Sequence, residues 1–319
     1  GMLIGADYTV GIPLLSEWAP AKKRAGILGW LLVFCTIGYC ISYIVGFFMD
    51  GFVAAFGNDG WRLVLCTSVV PSLIALVIRF GTPESPLWHI AKGRPQEALA
   101  NIHAYLGNQY GLPDRGEEKP ASTSWFALFA PEQWRNTVVS GVFFFAQVLP
   151  FFAISIFLPL VLTKMNIQNP NASGVLYNVF TLIGVLVGLW IYGIATRRAY
   201  LLWTFYVSAA ILTVMILWTS MSPLVALIMI TAFALVLAAS IVPEFSYPAE
   251  LFPTELRGSG VGLTIAISRF GAGGGTFLLP IVSEQFGIHM ALWCCVITLL
   301  FGGIICHMWA PETSGKGKK

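Results

Sequence analysis

Three ionisable side chains stand inside long apolar runs, where a charge is costly and therefore informative. Asp7 precedes Glu17 by ten residues, Glu244 precedes Glu250 by six, and Arg269 follows Arg257 by twelve. Read as helix at about 1.5 Å of rise per residue, these spacings put Asp7 roughly 15 Å, Glu244 roughly 9 Å and Arg269 roughly 18 Å from a polar helix end. A bilayer core is about 30 Å thick, so Asp7 and Arg269 fall near its midplane. A charge at that depth costs about 2.5–3.5 kcal/mol or more unless it faces water or a partner. Asp7 can take and release a proton there, and the planar fork of Arg269 can neutralise an anion bidentately. A static Asp7–Arg269 pair is the structural alternative. Glu244 suits a proton carrier or, equally, a gate residue bonded to a neighbouring helix. Gln147 and Asn178 are candidate polar contacts, or else amide glue between helices.

A second set of residues marks the polar ends of the runs. Glu17-x-x-Pro20-x-x-x-Arg24 and Glu250-x-x-Pro253-x-x-x-Arg257 share one form at an offset of 233 residues. Thr82-Pro83-Glu84-Ser85 and Ala310-Pro311-Glu312-Thr313 form a second pair at an offset of 228. Two ordered pairs at nearly equal offsets imply two homologous halves in parallel, related by an axis along a membrane normal. With Arg197, Arg198 and Glu84, the two Glu…Arg pairs can form ion pairs between the halves. Each exposed pair is worth only about 0–1 kcal/mol, but a network broken and remade can bias a two-state element. The alternative is that the cations only anchor topology.

These residues need elements to position them, and the composition says which. Of 319 residues, 57% are hydrophobic and 10% charged, where an ordinary soluble domain has about 25% charged residues. So much apolar surface cannot be hidden in a water-soluble body. A soluble enzyme and a disordered scaffold are excluded, and a net charge of +3 is too small to suggest a nucleic-acid partner. The six cysteines lie in apolar runs without CxxC or Cys/His spacing, so neither a metal site nor a disulfide framework is indicated, and no cofactor is expected.

Apolar runs long enough to cross a bilayer cover residues 27–49, 63–78, 137–163, 172–196, 258–283 and 290–309. The run 199–243 is too long for one span and breaks at Ser220-Met221-Ser222-Pro223. The opening stretch, 2–15, makes a ninth. Pro150 interrupts the 137–163 run as a packing kink or a cavity-lining break. With the loop at 18–26 placed in the cytoplasm, fifteen of the eighteen Lys and Arg residues fall on that side. Residues 81–136 read as a cytoplasmic linker with short surface helices, one starting at Pro95.

Together, Ser16-Glu17-x-x-Pro20-x-x-x-Arg24, Pro83-Glu84-Ser85-Pro86-Leu87-Trp88, Gly193-x-x-x-Arg197-Arg198, Pro248-Ala249-Glu250-Leu251-Phe252-Pro253-Thr254-x-x-Arg257-Gly258 and Pro311-Glu312-Thr313 resemble the major facilitator superfamily, in its sugar-porter-like branch. The resemblance covers the fourth to the twelfth helix. It implies an all-α membrane protein with nine of twelve transmembrane helices: a partial N-terminal bundle over 1–80, the linker 81–136, a complete six-helix bundle over 137–310 and a cytoplasmic tail over 311–319. About three spans would precede Gly1, so an N-terminally truncated chain that does not transport by itself is expected. Gly5-Ala6-Asp7-Tyr8 looks like a fourth-helix motif of proton-coupled phosphate symporters, with Thr9 in place of their Pro. Arg269 looks like the eleventh-helix cation of phosphate and organic-anion transporters. The glutamine pair of sugar porters is reduced to Gln147 alone.

The resemblance thus implies a non-enzymatic transporter moving a small organic anion or phosphate with protons by alternating access. A sugar or polyol solute, or a nontransporting sensor on the same fold, is the alternative. Its other partner is the lipid bilayer of the cell's inner membrane, and the protein is expected to be a monomer with a cytoplasmic C-terminus.

Overall fold

The computed structural model describes residues 11, 14–15, 17–19, 24–48, 51, 57–112, 125–164, 170–218, 220–244 and 246–314. Among them there is no strand. The helices are α1 (Arg24–Phe47), α2 (Gly60–Cys66), α3 (Val69–Arg79), α4 (Pro86–Ala91), α5 (Pro95–Leu106), α6 (Trp134–Ile156), α7 (Leu158–Lys164), α8 (Pro170–Ile194), α9 (Arg197–Leu217), α10 (Pro223–Ile241), α11 (Tyr247–Leu251), α12 (Thr254–Phe286) and α13 (Ile288–Trp309). Eight spans among the described residues are long and apolar enough to cross a membrane, with α2 and α3 together counting as one. The ninth expected span, over 2–15, lies almost wholly outside the described residues.

Local chemistry explains the breaks. The long run 199–243 divides where the sequence places its Ser and Pro. α9 stops at Leu217, and α10 starts at Pro223 with the Ser222 hydroxyl accepting from the Val225 amide. Pro223 suits a helix start because its missing N–H would have no partner there. The 137–163 run divides at Phe157, just before Pro159, while Pro150 stays inside α6. α2 and α3 part at Thr67 and Ser68, whose hydroxyls bond the carbonyls of Val64 and Leu65 three residues back. Such back-bonding competes with the helix ladder.

The chain forms two compact units that divide α1. The first holds residues 1–30 and 48–121. In it, Pro95 opens α5, and the α4–α5 turn passes through Gly93 at φ +76°. His89 is buried there, with Asn101 at 3.2 Å and the Glu97 carboxylate at 3.3 Å. Trp18 packs edge-on against Tyr105. The α2–α3 span buries none of its most apolar 18-residue window.

The second unit holds residues 31–47 and 122–319. Residues 31–47 belong to it through bonds from α1: Tyr43 donates to the Ser155 carbonyl at 2.8 Å, Cys40 to the Asn178 carbonyl at 3.1 Å, and Tyr39 lies edge-on to Phe151. α12 packs along α6, α8 along α10, and α13 against both α9 and α6. The aromatic centre is Phe143, in ring contact with Phe144, Phe205 and Tyr247.

Between helices in lipid there is no hydrophobic driving force, so packing depends on close backbone approach at small residues. A Cβ on Gly188 would lie 2.8 Å from the Ala239 Cα, and one on Gly275 2.5 Å from the Leu149 carbonyl oxygen. The Tyr200 hydroxyl stitches the α8–α10 seam, shared between the carbonyls of Ala239 (2.7 Å) and Gly188 (3.2 Å).

Candidate functional site

The second unit brings three of the sequence-selected interior residues to one place. Glu244 sits on the 3₁₀ turn Val242–Glu244 that ends α10, Gln147 on α6 and Arg269 on α12. The Arg269 guanidinium acts electrostatically on the Glu244 carboxylate, and the Gln147 amide approaches the same carboxylate. Both charges also act on the Tyr39 hydroxyl of α1. Gln147 is fully buried, and neither amide atom meets hydrogen-bond geometry with any group. Arg269 and Tyr39 are exposed, Glu244 is half-buried and Gln147 is fully buried.

Asn178 is placed differently. Its Nδ2 donates to the Gly174 carbonyl one turn earlier in α8, at 2.9 Å. It lies by the hydroxyl pair Ser155–Tyr177, which are 3.3 Å apart, with Cys40 bonded to its own carbonyl. Asp7 lies outside the described residues.

At the polar helix ends, Arg197 and Glu250 meet. Arg197 Nε and Nη2 each lie 3.4 Å from a Glu250 oxygen, Nη1 donates to the Tyr192 carbonyl at 2.7 Å, and the guanidinium stacks 3.8 Å from the Tyr192 ring. Arg198 donates to the His307 carbonyl at 2.5 Å. Glu312 caps α9, its two oxygens accepting from the amides of Arg197 (2.9 Å) and Arg198 (3.0 Å). A carboxylate at a helix N-terminus satisfies orphan amides and meets the positive end of the helix dipole. Burial works upward on the Glu312 acid. It is outweighed by hydrogen bonds from the Ser314 hydroxyl and from the amides of Arg198, Arg197 and Ser314, which hold the acid below its ordinary range.

The same contact recurs in each half. Thr313 donates to the Glu250 carboxylate, and Ser85 to the Glu17 carboxylate. These are the residues that the repeated motifs align. Glu84 is exposed, and the side chains of Arg24 and Arg257 lie outside the described residues. The residue set selected from the sequence lacked Tyr39, Tyr192, Glu312 and Thr313. The last two carried a signal, the repeated Pro-Glu-Thr/Ser, but Tyr39 and Tyr192 are aromatics in apolar runs like any other.

The chain matches the sugar (and other) transporter family over residues 1–318. The protein belongs to that family. The inner membrane metabolite transport protein YgcS of Escherichia coli (strain K12) is 35% identical over 315 residues, which span 98% of this chain and 69% of YgcS. The minor myo-inositol transporter IolF of Bacillus subtilis (strain 168) is 26% identical over 339 residues, spanning 99% of this chain and 68% of IolF. The partially occluded, inward-open form of the xylose transporter XylE from E. coli shares the fold, with a TM-score of 0.75 at 17% identity, covering 99% of this chain and 70% of XylE. The protein is accordingly a multi-pass membrane transporter of the major facilitator superfamily, and not an enzyme.

Proposed function

We propose that the protein moves a small organic anion or phosphate together with protons, by alternating access. One observation carries the reading: a carboxylate, a guanidinium and a buried amide, Glu244, Arg269 and Gln147, act on one another within otherwise apolar helices. A neutral solute needs no cation, and a charge kept in such surroundings marks function. Charge balance supports the coupling. An anion admitted beside the neutral Glu244–Arg269 pair leaves a negative charge, and a proton on Glu244 or Asp7 removes it. Arg197, Arg198 and Glu250, with Glu17, Arg24, Glu84 and Arg257, serve as the cytoplasmic gate. In this reading residues 2–15 supply a further span, making nine, the C-terminus and the linker face the cytoplasm of the inner membrane, and the working unit is a monomer.

A second reading, a sugar or polyol solute, is favoured by the family and by the myo-inositol transporter among the relatives. Uptake separates the two. The protein is expressed from its complete gene, reconstituted in proteoliposomes and given an inward proton gradient. Anion uptake is expected to follow the gradient. A charge-assisted contact contributes about 1.5–3 kcal/mol, so Arg269→Ala should slow anion uptake at least ~10-fold. Undiminished anion uptake in that variant sinks the anion role. Polyol uptake insensitive to it establishes the second reading, and no accumulation of any solute favours a sensor.

A further inference from the structure

One apolar stripe of α13 is left exposed by the bundle. Ile297, Phe301, Ile304 and Met308 are exposed, while Leu292, Val296, Leu299 and Cys306 on the other side of the helix are buried. Spacings of four, three and four residues put the exposed set on one helix face. From Ile297 to Met308 the chain rises through eleven residues, about 16 Å at about 1.5 Å each. That is close to half of a bilayer core about 30 Å thick. The stripe is therefore about as long as one leaflet is deep, and it finishes at the polar end of the helix.

Two aromatic rings and two guanidiniums gather at that end. Trp309 meets Trp134 of α6 edge-on at 5.3 Å, and the Arg135 guanidinium lies 5.6 Å from the Trp134 ring. On α9, the other neighbour of α13, Arg198 reaches the His307 carbonyl. Arg135 and Arg198 are exposed, and among the described residues neither forms an ion pair. Two acids lie close by. Glu132 is exposed and does not pair with Arg135, and both Glu312 oxygens accept from backbone amides. Arg62 gives the contrast, because it lies 5.3 Å from the Trp61 ring but is paired with Asp59 at 3.2 Å. Lys316, Lys318 and Lys319 follow Trp309 within ten residues, outside the described residues. Their charge adds long-range attraction for an anion.

Tryptophan favours the membrane–water interface, and a guanidinium matches a phosphate bidentately. A soluble anion has no use for an apolar stripe. A zwitterionic lipid carries its own ammonium, so a headgroup with net negative charge fits best. We propose that an anionic phospholipid of the phosphatidylglycerol type binds at this end of α13. Its phosphate lies on Arg135 and Arg198, its glycerol backbone at the Trp134–Trp309 pair, and one acyl chain along the Ile297–Met308 stripe. This assignment does not depend on which solute the protein moves.

The test uses the purified protein from its complete gene in mixed micelles. Phosphatidylglycerol and phosphatidylcholine with brominated acyl chains quench tryptophan on contact, and exchanging one for the other gives their relative binding constant. Each cation near the surface contributes about 1 kcal/mol toward an anionic lipid, a factor of ~5. Phosphatidylglycerol is expected to bind at least ~5-fold more tightly than phosphatidylcholine. Arg135→Gln should lower that preference ~5-fold, Arg135→Lys should keep most of it, and Arg62→Gln should leave it unchanged. Arg135 is exposed, so its variants should melt with the parent, which separates lost recognition from lost folding. Equal binding of the two lipids overturns the proposal. So does an unchanged preference in Arg135→Gln. An equal loss in Arg62→Gln also overturns it, since the attraction would then be spread over the whole surface. Loss of the preference when inorganic phosphate is added at the lipid's own concentration overturns the lipid as the occupant.

Discussion

Replacing Gly184 by alanine tests whether backbone approach, rather than side-chain burial, holds the α8–α10 seam. A Cβ at that position would stand 2.8 Å from the Leu235 Cα and 2.9 Å from its carbonyl carbon, and closer still to the carbonyl oxygen. Carbon atoms pack best at about 3.5–4.0 Å, so the added methyl demands a displacement near 1 Å. The obstructing atoms are helix backbone and cannot swing aside as a flexible side chain can. The displacement must be taken by the helices, along a seam where Gly188 also lies against Ala239 and the Tyr200 hydroxyl spans both strands of carbonyls. Overpacking of a tight interior costs about 1–3 kcal/mol, while replacing a helical glycine returns about 0.5–1 kcal/mol. Mid-range values leave a net loss of about 1 kcal/mol. At about 2–4 °C per kcal/mol for a body of 150–250 residues, the apparent melting temperature should fall by about 2–4 °C. The melt is read from intrinsic fluorescence of the 11 tryptophans, in one detergent and at one scan rate. Gly262→Ala is the matched control, being exposed on a helix with nothing within 4 Å of its would-be Cβ. It should melt at or above the parent. A Gly184→Ala protein that melts as high as the Gly262→Ala protein refutes the argument from close approach.

Glu312→Gln should lower the melting temperature at neutral pH, since cap loss costs about 0.5–2 kcal/mol. The folded-state acid is held below its ordinary value. Its contribution is therefore complete above the ordinary carboxylate range, about 4.3 for glutamate, and is lost as pH falls through the lower folded value. The gap between parent and variant should close in that window, and a gap that widens on acidification contradicts the capping role. Tyr200→Phe removes a buried hydroxyl bonded to Gly188 and Ala239 and should cost about 0.5–1.5 kcal/mol by the same melt. An unchanged melt would mean that the seam needs no stitch.

What the sequence made legible follows from what is local. Apolar run length and the Ser220–Pro223 interruption are local, and the described spans lie close to the ranges read from them. The depth of Arg269 or Glu244 is nearly local, being a count of residues from a helix end. Which helices become neighbours is not local. Gln147 and Arg269 are separated by 122 residues, and nothing in their spacing tells which faces of α6 and α12 meet. The small residues Gly271 and Gly275 decide that, by letting α12 approach the carbonyls of Phe145 and Leu149. Asn178 illustrates a different limit. An amide in an apolar run can serve a solute, a neighbouring helix or its own backbone, and its Nδ2 is bonded within its own helix. Glu312 was visible only as part of a repeated motif, because the amides it caps lie 115 and 114 residues away.

The repeat makes one further point about how charge is placed. Glu17 and Glu250 are equivalent by motif, and each accepts a hydroxyl hydrogen from the equivalent Ser85 or Thr313. Equal motifs therefore make equal contacts at the polar ends, where the duty shared by the halves is to hold a helix end in place. The interior charges differ in kind. Glu250 follows Glu244 by six residues, and Pro248 of α11 lies between them. Proline withholds an amide from the helix ladder, so this segment carries fewer internal bonds than the helices on either side. One short segment thus bears the carboxylate next to Gln147 and Arg269 and also the carboxylate gripped by Arg197.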